Sequence, residues 1–218
     1  MVVTNLNLVS YYLILNSLSM TFLGKRSETL NDARKACLKA IICLEKLVSD
    51  KVDAPFSEYE EKVKKISGLS DEARYELLRK VGFTIDCIID GFGDNTKWQW
   101  HWVEIEGRFA TVAKNLLNLK TYRVGNDPRS KGYTTRVKHM RLVLVLLQKA
   151  ADGYRRKYEL STDHRLDDIK MAINYLSAQR RMYNVLGDNI NYESLKKKIK
   201  IWQARAEADQ KLKNLKRA

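Results

Sequence analysis

Residues 135–158 read TRVKHMRLVLVLLQKAADGYRRKY. Within them Val137, Met140, Leu144, Leu147, Ala151, Tyr154 and Tyr158 recur at alternating steps of three and four. Such steps put all of these side chains on one face of an α-helix, and a strand would need alternation every second residue instead. The seven-residue rhythm suits a helix packed along antiparallel or coiled-coil-like neighbours.

The same signal extends in both directions. Downstream, Ser161, Thr162 or Asp163 is placed to cap a helix carrying Leu166, Ile169, Ile173, Leu176, Tyr183 and Leu186, with Gly187 at its end. A last helix opens at Asn189 or Asn191 and packs through Leu195, Ile199 and Trp202. Beyond Arg205 it turns polar, is anchored by Leu212 and Leu215, and is expected to project or fray. Upstream, Leu30, Ala33, Cys37, Ile41, Leu44 and Val48 form one helix face, which Asp53-Ala54-Pro55 stops. Ser57 and Glu60 have capping-box spacing for a short helix to Ile66. Ser70, followed by Asp71 and Glu72, opens a helix with Ala73, Leu77, Val81, Ile85 and Ile88 on its face, closed by Gly91 and Gly93. After Asp94 or Asn95, the stripe of Trp98, Trp102, Ile105, Phe109, Val112, Leu116 and Leu119 predicts one helix over 96–122, about 40 Å long. Gly125-Asn126-Asp127-Pro128 reads as a turn, after which Thr134 is placed to cap.

These signals give an all-α fold, a bundle of six to eight mostly antiparallel helices. The 218 residues contain only 2 Pro and 10 Gly, so long helices meet few breaks. Three units are expected: an apolar N-terminal arm or helix at 1–24, a near-neutral helical unit at 25–124, and a strongly basic helical unit at 125–218 that can share one core with it. Residues 1–23 lack the basic n-region of a signal peptide, since the first basic residue is Lys25. Asn5, Asn7 and Asn16 interrupt the apolar run, which disfavours a membrane span and favours burial in the core or in a partner subunit. Cys37, Cys43 and Cys87 have neither disulfide-framework nor metal spacing, as in a reduced intracellular protein.

The charge is divided unevenly. Residues 1–108 hold 15 Lys/Arg against 16 Asp/Glu, and residues 109–218 hold 25 against 10. A field confined to one half attracts acidic or phosphate-rich partners. Arg123, Arg129, Lys131, Arg136, Lys138 and Arg141 surround the 125–132 loop and the helix start after it, a combination suited to cradling phosphate. Arg155, Arg156, Arg180 and Arg181 stand near two helix C-termini. Lys196, Lys197, Lys198 and Lys200 gather near the start of the last helix, where the helix dipole disfavours cations. Tyr133, Tyr154 and Trp202 lie among these charges as candidates for stacking on bases.

Other chemistry is sparse. Trp98 and Trp102 share a core face, whereas Trp100 points elsewhere and is a candidate interface residue. His101 and Glu104 are three apart, but a di-iron bundle would need paired Glu-x-x-His motifs, and no second copy occurs. No P-loop, GxSxG, GxGxxG or HExxH motif is present. The expectation is a non-enzymatic protein without metal or cofactor that binds RNA, DNA or an acidic protein surface through its basic half, with little sequence preference. The rival expectation is a structural protein of a larger complex, docking through the N-terminal arm and the last helix, with homo-oligomerisation included. Either role places it inside the cell, in the cytoplasm or within a virion or other assembly.

Overall fold

The computed structural model describes residues 1–93, 96–125, 127–162 and 164–215. Among them the chain is all helical. Nine α-helices run in order: α1 Val2–Leu23, α2 Thr29–Leu47, α3 Glu60–Lys65, α4 Asp71–Phe92, α5 Gln99–Leu116, α6 Leu119–Val124, α7 Tyr133–Leu160, α8 Leu166–Leu186 and α9 Asn189–Leu215. Two 3-10 turns, Phe56–Glu58 and Thr96–Trp98, complete the list. The count exceeds the expected six to eight because the single helix predicted over 96–122 is divided, leaving α6 as a separate six-residue helix.

Side-chain contacts give the helix directions. Across α5 and α7, His139 meets the Ala113 carbonyl, Lys149 pairs with Glu106, and Gly153 faces Val103, so the two run antiparallel. Gln179 donating to the Leu144 carbonyl and Lys157 pairing with Asp168 make α7 and α8 antiparallel as well. The α2 and α5 helices instead run in parallel: Arg34 meets His101, Glu45 meets Arg108, and Asn115 reaches Ser49. One cluster of buried apolar side chains extends from Leu6 to Ala206, with Ala54, Tyr59 and Val63 as a small satellite. Gly107 lets α5 approach two rings closely: a Cβ there would stand 2.7 Å from the Tyr175 hydroxyl and 2.9 Å from Tyr154.

Several helix ends fall where the sequence puts them. Ser70 accepts from the Ala73 N–H at 3.2 Å, and Gly187 closes α8 in the left-handed conformation. Others differ. The predicted 96–122 helix is broken, because Leu117 and Asn118 adopt extended backbone and the Asn118 side chain accepts from the N–H groups of Lys120 and Thr121. That local acceptor competes with helix continuation, and the bend buries both Leu117 and Leu119. Ser57 caps nothing: it lies in a 3-10 turn set by the edge-on packing of Phe56 on buried Tyr59. Tyr59 starts α3, and Glu60 turns to Lys64 and Lys120.

Gly132 rather than Thr134 precedes α7, and Gly91 lies inside α4, which Gly93 ends. Arg165 precedes α8 with no side-chain cap, while Ser161 donates back to the Tyr158 carbonyl. Asp94, Asn95, Asn126 and Asp163 lie outside the described residues. α9 does not leave the body at Arg205, for Ala206 is buried and the Tyr158 hydroxyl donates to Asp209. Leu212 and Leu215 are exposed and anchor nothing.

Candidate functional site

The basic residues separate into groups with different surroundings. Arg136, read as part of a phosphate cradle, is buried and committed. Its Nη1 donates to Asp71 Oδ2 at 2.9 Å and to the Lys131 carbonyl, and its Nη2 donates to the Gly125 carbonyl at 2.8 Å and to Ser130 Oγ. The cradle is already faced by the protein's own anions. Carboxylate oxygens of Asp71 and Glu72 lie 3.3 Å from where a Cβ on Gly132 would stand, at the N-terminus of α7. The Glu72 carboxyl is held below the usual range by its own backbone N–H and by Ser70, with Lys131 and Arg136 adding to it.

Around this clip, Arg123, Arg129, Lys131, Lys138 and Arg141 are exposed. Among the described residues their side chains make no hydrogen bond or ion pair. Lys138 and Arg141, three apart, share one face of α7.

The second group joins the end of α7 to α9. Arg155 and Lys198 both sit over the Trp202 ring, at 5.1 and 4.9 Å. Arg155 also pairs with Glu159, Lys196 with Glu193, Lys198 with Asp152 and Arg205 with Asp209. Arg156, Lys197 and Lys200 are exposed and unpaired among the described residues. The lysines stand eight to twelve residues into α9, beyond the first turn where the dipole acts, so the dipole argument for a ligand there falls away.

The third group is Arg180, 5.6 Å over Tyr192, and Arg181, which pairs with Asp53. Arg181, Lys120 and Arg123 border a 390 Å³ pocket floored by Tyr59, Leu119 and Met182.

The stacking candidates are corrected. Tyr154 is buried, stacked on Tyr175 at 5.6 Å, and Trp202 is buried beneath its two cations. Tyr133 is half-buried. Trp102 is in the core and Trp98 at its edge, both edge-on to Phe92, while Trp100 is half-buried. His101 Nε2 lies 2.8 Å from an Arg34 nitrogen, which leaves that ring nitrogen facing a cation rather than a metal. Burial, then the Arg34 charge, holds this imidazole below its usual pKa.

Sequence reading did not find the buried ionisable residues. Glu45 and Arg108 brace α2 against α5, with Nε to Oε1 at 2.8 Å. Lys114 is 1% exposed, its Nζ has no hydrogen-bond partner, and it sits 5.0 Å over the Tyr59 ring. Their partners are more than fifty residues away in the chain, so no local pattern marks them.

The other unpartnered surface is α1, which packs chiefly on α2 and α4. Val2, Leu6, Val9, Leu13, Asn16 and Met20 follow one seam of four- and three-residue steps, buried at Leu6, Val9 and Asn16. Asn16 accepts from the Ser27 N–H at 3.0 Å. A second seam, Met1, Thr4, Leu8, Tyr11, Leu15, Leu18 and Phe22, is exposed at every position. Two opposed seams make α1 apolar all round. It is the one described helix long and apolar enough to cross a membrane, by length and composition.

No curated protein and no solved structure matches this chain. A family model does match over residues 1–210, nearly its whole length, and the chain belongs to the TP0443 family.

Proposed function

We propose that this is a non-enzymatic helical protein that associates with nucleic acid or another polyanion, without reading bases. The seven long helices form a mostly antiparallel bundle that serves as a rigid support for the charges. One observation carries the reading: Arg123, Arg129, Lys131, Lys138 and Arg141 form an exposed, unpaired run around a loop that Arg136 holds in shape. Elsewhere in the basic half, five of the ten acids, Asp152, Glu159, Asp168, Glu193 and Asp209, each face a Lys or Arg. Added polyanion therefore meets cations that no ion pair engages, with Glu72 acting on Lys131 by charge alone. Arg156, Lys197 and Lys200 provide a smaller second patch.

Phosphate neutralisation then dominates the affinity. Five contacts give a log–log salt slope of about −4 to −5 on duplex DNA, at roughly 0.9 per phosphate. Fluorescence anisotropy with mixed-sequence labelled DNA and RNA measures it. Replacing Arg123, Lys131, Lys138 and Arg141 by Gln reduces the slope by about 3 to 4. A flat salt dependence, or no binding at low salt, removes the proposal.

The exposed seam of α1 supports a second reading, that of an assembly protein working inside a larger complex. Sedimentation of a native extract tests it: the protein should travel well above its monomer mass, and substitutions in the seam should bring it down.

A further inference from the structure

The outward seam of α1 has features that select its occupant. Its positions follow the 3-4-3-4 spacing of a coiled-coil seam through three heptads, from Met1 to Phe22. Asn5 and Ser19 flank it on one side with Tyr12, and Asn7 and Thr21 on the other with exposed Ile14, so most of its border is polar. A helix lying in a lipid surface has no need of such a period, and it carries Lys and Arg along its polar face. Residues 1–24 carry no charged side chain, so the seam offers a charged partner helix nothing to pair with. Another uncharged helix with the same spacing suits it. Among the described residues, α1 itself is that helix.

Resting on the assembly reading above, the geometry points to a second copy of this chain, paired α1 to α1 about a two-fold axis. An isologous interface of this kind uses one self-complementary patch twice. Charge placement agrees with it. α1 rests on α2 and α4, in the near-neutral half, so two copies meeting there keep their strongly basic halves apart. Lys25 and Arg26 follow α1 directly and are exposed. A parallel pair would set two such dipeptides side by side, whereas an antiparallel pair sends them to opposite ends and opposes the helix dipoles. The antiparallel register with the longest overlap faces Leu8 with the partner's Leu18, Tyr11 with the partner's Leu15 and Thr4 with the partner's Phe22. α1 is already ordered on its own body, so pairing does not repeat the cost of forming the helix.

Sedimentation equilibrium of the purified full chain tests this at micromolar concentrations. The wild type is expected to be a dimer. Leu15→Lys with Leu18→Lys weakens it by about a hundredfold or more, because each charge would be buried without a partner. Ser10→Lys with Ser17→Lys, exposed but off the seam, leaves the mass unchanged. Far-UV circular dichroism checks that each variant keeps its helices, and Leu15→Ser with Leu18→Ser replaces the lysine pair if it does not fold. Leu8→Cys with Leu18→Cys gives a covalent dimer, whereas cross-linking of Leu8→Cys alone would overturn the antiparallel register. A purified chain that stays monomeric overturns the pairing, and one that also floats with phosphatidylcholine vesicles gives the seam to lipid. The extract measurement then decides separately whether the assembly reading stands.

Discussion

Replacing Lys114 by Met should make the protein more stable at neutral pH and remove part of its alkaline stabilisation. Lys114 sits in the last turn of α5, almost wholly enclosed, with no acceptor for its ammonium and the Tyr59 ring 5.0 Å away. Burial pushes its pKa from 10.5 down to about 8, against the pull of Asp53 and Glu58 and with the push of Arg181. A folded pKa below the unfolded one means that the unfolded chain holds more protons between pH 8 and 10.5. Stability therefore rises across that window, and below pH 8 the full penalty applies. At 1.36 kcal/mol per unit, this penalty is about 3 kcal/mol. Met fills a similar volume without the charge, and the lost cation–ring contact returns about 1 kcal/mol. The net gain at pH 7 is then about 2 kcal/mol. Urea denaturation of both proteins at pH 7, 8.5 and 10 measures it. The wild-type curve alone mixes in other groups: burial raises the Cys37 thiol to about 12 and also raises the Tyr59 phenol, and both act in the opposite direction at high pH. The difference between the two proteins cancels them. A Met variant less stable at pH 7, or a difference that does not shrink by pH 10, refutes the reasoning.

Two further outcomes follow from the same interior. His139 donates to the Ala113 carbonyl at 2.9 Å, and burial lowers its pKa from 6.5 to about 4. The unfolded chain binds the extra proton first, so stability falls as pH drops from 6.5 to 4. By pH 4.5 the wild type should have lost about 2–3 kcal/mol more than His139→Gln, measured by denaturant unfolding at pH 7 and 4.5. Gly107→Ala forces a methyl group between Tyr154 and Tyr175 and should cost about 1–3 kcal/mol, read as a lower urea midpoint.

The fold class was legible because it rests on local periodicity. The 135–158 rhythm became α7, and Ser70 and Gly187 mark real helix ends. The break after Leu116 was not legible. The apolar stripe runs through it to Leu119, and only the Asn118 side chain, turning to its own neighbours, stops the helix. At the candidate site, sequence placed the cations but not their partners. Arg136 and Asp71 are far apart in the chain, so nothing local separated a clip from a cradle. Tyr154 and Trp202 lie among charges in sequence while packing inward, because neighbouring residues on a helix point to different sides. The outer seam of α1 was written in the sequence, but a second seam on its opposite side hid the period.

The Arg136 clip also determines what holds the two charge halves together. It ties the 125–132 loop to the start of α4, while one apolar cluster passes from the first half into the second. Backbone continuity across the loop is thus not what joins them. A protease that cuts after the exposed Arg129 or Lys131 would leave two fragments that stay associated, elute as one species, and separate only when the core unfolds.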